Sequence, residues 1–402
     1  MPSIETLAPA AGAVDAAGLG AYDAEALAGC AVDRAEPWWR RLACVEALAG
    51  RVPPSRLDDL LTCLYDRTDT GVVRKALLDL LSDREELLPW LRHEDRREES
   101  AYGMTEAALA ARGRLGDLTA APGLAELAFS HWRHSRETGD AGLDALVARH
   151  GAAAVLDRLD DARPEARAWR WRRRWHAGED VTAALADPDP GVAHLMQDYL
   201  TDPAGLRRYL AAAPTVDAAL WAAYALHRLT EDVTETRAVH EALGRPRVEV
   251  EGLAEDVRRA IVHEYGAWCE KQSDPRWRIE QLCTQPPEPP DQEAQLRRAT
   301  AALGAAGLAP RPPVSCGEAH RQGDGTYHVI EYGDGRELFL STLGPYAGDH
   351  EDDPEARAAL EAAGFRWIDA ERGAVRVTGL GVYYFGARIP LDVHTLLFYW
   401  QD

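Results

Sequence analysis

From about Pro37 to Ala267 apolar residues recur at three- and four-residue spacing, in helix-length stretches broken by short polar segments, with no strand-like alternation between them. A region this long built only of amphipathic helices must bury its apolar stripes helix against helix. In Trp38–Leu48 the spacing predicts that positions 38, 42, 45 and 48 share the inward face, with Pro37 suited to the first turn. At 402 residues the chain exceeds one ordinary core, so several cooperative units or one elongated array are expected.

Self-similarity favours the array. Residues 69–80 (DTGVVRKALLDL) lie over 189–200 (DPGVAHLMQDYL) with matches at the leading Asp, at Gly, at Val and at the last Leu. Looser relatives begin near Pro164 and Thr215, so unit length varies. The pattern resembles HEAT repeats, whose units carry an Asp near the inter-helix turn, then Val-Arg, then Ala and Leu on the inner helix, as Asp69, Val73, Arg74, Ala76 and Leu80 do here. The resemblance covers roughly residues 37–267, and only 69–80 has the full pattern, since His194 stands at the Arg position of the later copy. It implies stacked helical pairs that share one core and expose a long curved surface for a partner. A compact helical domain without regular stacking is the alternative.

The period changes toward the C-terminus. Gln285-Pro286-Pro287-Glu288-Pro289-Pro290 cannot continue a helix, and Pro310, Pro312 and Pro313 make a second break after a helix predicted from Asp291 to about Ala306. Thr326–Tyr332 and Arg336–Ser341 alternate around Gly333-Asp334-Gly335, a hairpin signal. A helix from Pro354 to Ala363 with Asp353 as N-cap follows, then three strands at 365–369, 374–378 and 382–385. The expected fold class is therefore mainly α, a HEAT-like α-solenoid followed by a small α+β domain. The expected divisions are an N-terminal cap at 1–36, the array at 37–284, a Pro-rich linker with one helix at 285–313, and the α+β domain at 314–402.

Charge narrows the function. With 66 acidic and 45 basic side chains the formal net charge is −21, which disfavours duplex nucleic acid as a partner. Residues 300–402 hold 8 Arg against 15 carboxylates, so no basic module hides in the total. The cysteines 30, 44, 63, 269, 283 and 316 form no Cys-x-x-Cys pair, which points to reduced thiols. No apolar run long enough to span a bilayer and no signal-peptide pattern occurs in the sequence, so a cytoplasmic protein with no membrane contact is expected.

The one concentrated basic stretch is Arg167-Ala168-Trp169-Arg170-Trp171-Arg172-Arg173-Arg174-Trp175. On a helix Arg167, Arg170 and Arg174 share one face and Trp171 and Trp175 a second. This suits either anion and partner binding or an amphipathic helix with tryptophans inward and arginines paired to carboxylates. With Trp221 of the unit at 215–229, these make up the candidate partner or anion site: Arg167, Arg170, Trp171, Arg174 and Trp221. His131 and His134, three apart, and the acidic loop with Asp349 and His350 are weak metal candidates, since neither completes a ligand set. His194 with Asp198 reads as a surface hydrogen bond. No catalytic signature and no cofactor motif occurs. The expectation is a non-enzymatic scaffold that binds a protein partner, with a concave-face enzyme of the HEAT-like DNA glycosylase type as the alternative.

Overall fold

The computed structural model describes residues 2–94, 103–212, 214–268 and 273–401. It is 58% helical with a small sheet-containing region at its C-terminal end, which makes the chain mainly α followed by α+β. It divides into two compact units, Met1–Arg173 and Arg174–Asp402, and the division falls within the helix Pro164–His176.

The first unit is a succession of helical pairs. Ala24–Val32 pairs with Trp38–Ala47, Leu57–Tyr65 with Gly71–Leu81, Leu88–Glu94 with Met104–Arg114, and Ala121–Phe129 with Arg133–His150. The second helix of each pair also packs on the second helix of the next. One continuous cluster of buried residues, including Leu27, Leu48, Leu60, Leu81, Leu91 and Met104, runs through the first three pairs. No single pair could bury its stripe alone, which is why the pairs stack.

The second pair repeats the first at a constant offset, with the same side chains at several positions. Leu27 and Leu60, Cys30 and Cys63, Ala43 and Ala76, and Leu48 and Leu81 occupy equivalent places. Arg41 Nε donates to the Ala31 carbonyl at 2.8 Å, and Arg74 Nε donates to the Leu64 carbonyl at 2.9 Å. Both carbonyls lie in the last turn of the preceding helix, where no intrahelical donor is left to reach them, and a guanidinium from the second helix supplies one. Arg41 then crosses to the next pair, donating to Asp69 at 2.7 Å with both side chains buried. Burial pushes the Asp69 carboxyl up, but the hydrogen bonds from Arg41 and from the Thr70 backbone outweigh it and hold the group below its ordinary range. In the third pair Asp117 accepts from Arg112 at 3.0 Å and from Arg92 at 2.8 Å.

Two expectations about individual helices need correction. Trp38 does not point inward: it is 46% exposed at the first helical position, edge-on to Trp39, and the buried face is Arg41, Cys44, Val45 and Leu48. The face that carries Arg41 to Asp69 is the inward one, and Trp38 lies off it. On Pro164–His176 the inward ring is Trp169, next to Ala166 and Ala168, whereas Trp175 is 38% exposed. Elsewhere in the unit, Gly139 lets Arg133–His150 lie directly on Ala121–Phe129, because a Cβ there would stand 2.3 Å from the Ala128 nitrogen.

In the second unit, helix starts are written into the sequence as Asp-Pro. Asp189, Asp202, Asp274 and Asp353 each accept a backbone N–H from the first turn, and the proline that follows has no donor to lose at that position. The helices Pro190–Gln197, Pro203–Ala211, Val216–Thr230, Val233–Ala242, Glu255–Tyr265 and Pro275–Cys283 lead to Gln292–Ala305, capped by Asp291.

Among the described residues nine strands follow: β1 (Val314–Ser315), β2 (Asp324–Gly325), β3 (Tyr327–Tyr332), β4 (Arg336–Ser341), β5 (Tyr346–Asp349), β6 (Arg366–Trp367), β7 (Val382–Tyr384), β8 (Ala387–Ile389) and β9 (Trp400–Gln401). The main sheet has the order β1-β3-β4-β5-β6, antiparallel except for β5 and β6, which are bridged by the helix Pro354–Ala362. β3 and β4 form the hairpin expected around Gly333-Asp334-Gly335, with Tyr332 opposite Arg336. The stretch 374–378 is not a strand. Only Arg376 bridges to Asp392, because the partner segment turns at once into the helix Val393–Leu397.

Alternate residues of the sheet enter two different cores. Ile330, Tyr332, Leu338 and Leu340 pack under Gln292–Ala305 and Pro354–Ala362, with Leu303, Leu360 and Trp367. Tyr327, Val329 and Phe339 point the other way, into a core shared with Val257, Ile261, Tyr265, Trp277, Leu396 and Phe398. The proline run 286–290 interrupts the helices but not the packing: Glu255–Tyr265 and Pro275–Cys283, which precede it, cover the sheet's second face.

Candidate functional site

On Pro164–His176 every arginine proposed from the sequence has a partner. Arg167 donates to the carbonyls of Asp161 and Ala162 at 3.0 and 2.9 Å, Arg170 pairs with Asp161 at 2.6 Å, and Arg174 donates to Glu179 at 2.7 Å. Arg172 makes a two-point contact with Asp140 at 2.7 and 2.8 Å, the fork geometry that carboxylates favour. Trp171 is half-buried on the same helix. Trp221 is 2% exposed in Val216–Thr230, packed against His194 at 5.3 Å and Tyr224 at 6.1 Å.

His131 and His134 both lie against the Trp132 ring, at 4.6 and 6.2 Å, and His134 is 3.9 Å from Glu106. In the acidic loop Asp349 accepts the backbone N–H groups of Glu351 and Asp353 at 3.0 and 3.1 Å, and Asp353 caps Pro354–Ala362 while pairing with Arg336. His350 meets Phe339 edge-on at 4.7 Å and faces His394 at 6.3 Å across a cavity of about 300 Å³. Burial lowers the His394 pKa; Asp392 opposes this and His350 adds to it. Among the described residues no three His, Cys, Asp or Glu side chains converge as a metal site would require. Cys269 lies outside the described residues; Cys30, Cys44, Cys63, Cys283 and Cys316 are free thiols.

Two larger concave features follow, the first of which includes His134. The first unit has a groove of about 570 Å³ along its second helices. Gly71–Leu81 contributes Lys75 and Asp79, Met104–Arg114 contributes Glu106, Ala107, Ala110 and Arg114, and Arg133–His150 contributes His134, Glu137 and Ala141. Small side chains line its floor and charges of both signs its rim. Ser135 donates to Glu106 at 2.7 Å, which fixes one carboxylate at the edge.

The second unit holds a cleft of about 690 Å³. Its walls are the end of Glu255–Tyr265, the small β2–β9 sheet and the β7–β8 hairpin. Three tyrosines line it. Tyr265 donates to the Leu396 carbonyl at 2.7 Å, and its hydroxyl is buried so deeply that its pKa rises well above the ordinary value. Tyr399 lies 5.8 Å away, its hydroxyl 2.7 Å from Gln401 Oε1, and burial pushes its pKa to about 12. Tyr383 carries the Arg388 guanidinium over its ring at 5.4 Å. Gly325 is required where β2 meets the chain end, since a Cβ would fall 2.0 Å from the Tyr399 carbonyl oxygen. Glu264 and Asp324 are the two carboxylates of the lining, and burial raises the pKa of Glu264. Phe385 and Gly386 form the hairpin tip at φ 42° and 85°, and Phe385 is 48% exposed against Trp400.

Chemically, the cleft is equipped to bind. The hydroxyls of Tyr265 and Tyr399 are already donated to protein acceptors, and Cys316 beneath the cleft is 1% exposed with its thiol pushed up by burial.

The chain matches no protein-family model, no curated protein and no solved structure.

The partner site expected from the sequence comprised Arg167, Arg170, Trp171 and Arg174 of Pro164–His176 with Trp221; of the groove it named only His134, as a metal candidate, and of the cleft nothing. The groove had a signal: the Arg41/Arg74, Cys30/Cys63 and Asp33/Asp66 correspondences set the period of the pairs, and with it the face of Gly71–Leu81 that carries Lys75 and Asp79. The cleft had none, because Glu264, Asp324 and Arg388 come from three segments widely separated along the chain.

Proposed function

We propose that this chain is a non-enzymatic binding scaffold whose first unit is a HEAT-like, armadillo-type array that receives a segment of a protein partner along its second helices. The observation that carries this reading is the groove of about 570 Å³ built from three successive second helices. Its small-residue floor admits a polypeptide close to the helix backbones, and its rim of Lys75 and Arg114 beside Asp79, Glu106 and Glu137 suits a chain bearing both charges. The net charge of −21 argues against a polyanionic partner. The free thiols fit a cytoplasmic location. Among the described residues no helix is long and apolar enough to cross a membrane.

Ala141 is exposed on Arg133–His150, so Ala141→Trp fills the groove without touching the core. Native-lysate capture with mass spectrometry is expected to lose its specific partner in this variant while circular dichroism stays unchanged. The arginine face is the competing contact for the same partner: Arg170→Glu with Arg174→Glu should leave capture intact. Loss with the arginine pair and retention with Ala141→Trp would move the docking surface to Pro164–His176, and identical capture by all three chains would remove the scaffold reading.

A further inference from the structure

We propose that the cleft of the second unit binds an organic cation, an ammonium or guanidinium group on a short alkyl chain, with Glu264 as its counter-ion and tyrosine rings as its walls. This site is separate from the groove of the first unit and does not rest on the scaffold reading.

Glu264 is a carboxylate that breaks the rule of its surroundings. In this unit buried acids are matched: Glu280 accepts from Arg258 at 2.8 Å, and Asp353 pairs with Arg336. Glu264 is half-buried at the end of Glu255–Tyr265, and no hydrogen bond or ion pair among the described residues reaches its carboxylate. A desolvated, unpaired carboxylate is costly, and a ligand that brings a positive charge removes that cost. The last turn of a helix adds negative potential at the same place.

The remainder of the cleft selects for the same sign. Its charged lining is Glu264, Asp324 and Arg388, so one negative charge is left over, and Arg388 already lies over Tyr383. Tyr399 and Tyr383, both half-buried in the lining, present ring surface, and such faces attract cations at short range. An anion entering here would meet two carboxylates and a helix C-terminus. The volume of about 690 Å³ lies in the usual range for small-ligand sites.

The test uses the intact chain and ligand-observed NMR titration with four probes. These are butylammonium, the peptide acetyl-Gly-Lys-Gly-amide, and their neutral counterparts butanol and acetyl-Gly-norleucine-Gly-amide. Both cations are expected to bind about tenfold or more tightly than their neutral counterparts. Glu264→Gln should weaken the cations by a similar factor while raising Tm at neutral pH, because it removes an unpaired charge. Affinity for the wild-type chain should rise as pH climbs through the elevated Glu264 pKa, since the protonated carboxyl is no counter-ion. Asp324, Arg388 and the tyrosines also face the cleft, and the Gln variant keeps all of them, so it should show no such rise if Glu264 is the titrating group. A peptide that binds more tightly than the free amine assigns the cation to a partner's lysine, and the opposite order assigns it to a free amine. Equal binding of charged and neutral probes, or undiminished cation binding by folded Glu264→Gln, overturns the proposal.

Discussion

The two units solve the burial problem in different ways. In the first, each helical pair meets the next through contacts close in sequence, and the same arginine device recurs at Arg41 and Arg74. In the second, the sheet is covered on both faces, and one cover consists of helices from the far side of the proline run. The first unit is thus a sum of similar neighbours, whereas the second depends on distant segments meeting at once, and perturbations should spread accordingly.

The sharpest test is excision. A fragment of residues 285–402 keeps the whole sheet but loses Val257, Ile261, Tyr265 and Trp277 from its second face. It should show no cooperative urea transition, and a sigmoidal transition from the fragment alone would make the sheet region autonomous and end the contrast. Next in size is Trp277→Ala. This ring is fully buried, its Nε1 donates to the Thr378 carbonyl at 3.1 Å, and Arg258 lies over it at 4.5 Å. A loss of about 3–5 kcal/mol is expected, seen in chemical denaturation as destabilisation of the second unit only.

In the first unit Asp69→Asn leaves Arg41 buried without its counter-charge and should cost about 3 kcal/mol, measured from the urea midpoint. Hydrogen exchange should locate the loosening in the first two pairs, and exchange spread evenly over the unit would mean that the pairs do not act as neighbours. The same carboxylates set an acid limit. Burial pushes the pKa values of Asp69 and Asp117 up, but both are depressed on folding, Asp69 by Arg41 and Thr70, Asp117 by Arg92, Thr119 and Arg112. The stability they contribute is therefore present above the ordinary Asp value and lost as pH falls through the folded values. Acid titration should unfold this unit below about pH 4, and Asp69→Asn should flatten that slope. The smallest effect belongs to Phe385→Asn. A phenylalanine at φ 42° is strained where Asn is tolerated, so the variant should gain about 0.5 kcal/mol, read as a small rise in Tm.

What the sequence disclosed follows the same division. Elements specified by neighbours were legible: the Gly333-Asp334-Gly335 hairpin, the Asp353 cap of Pro354–Ala362, and the helices starting after Asp69 and Asp189 stand where spacing put them. Orientation was less so. Trp38 and Trp175 read as inward because they are apolar, but the buried positions are Arg41, paired to Asp69, on the first helix and Trp169 on the second. The basic stretch at 167–175 stood out in the sequence, and pairing of its arginines to carboxylates was one of its two readings: Asp161 and Glu179 flank it, whereas Asp140 is brought to it only by folding. Glu264 carried no sign at all, since its isolation depends on what fails to arrive beside it.

The main sheet ends on both sides in stubs, β1 and β6, of two residues each. Such margins expose too few unpaired backbone groups to template another chain, a common guard against fibrous self-association. Strand addition at these two margins would therefore gain few backbone hydrogen bonds.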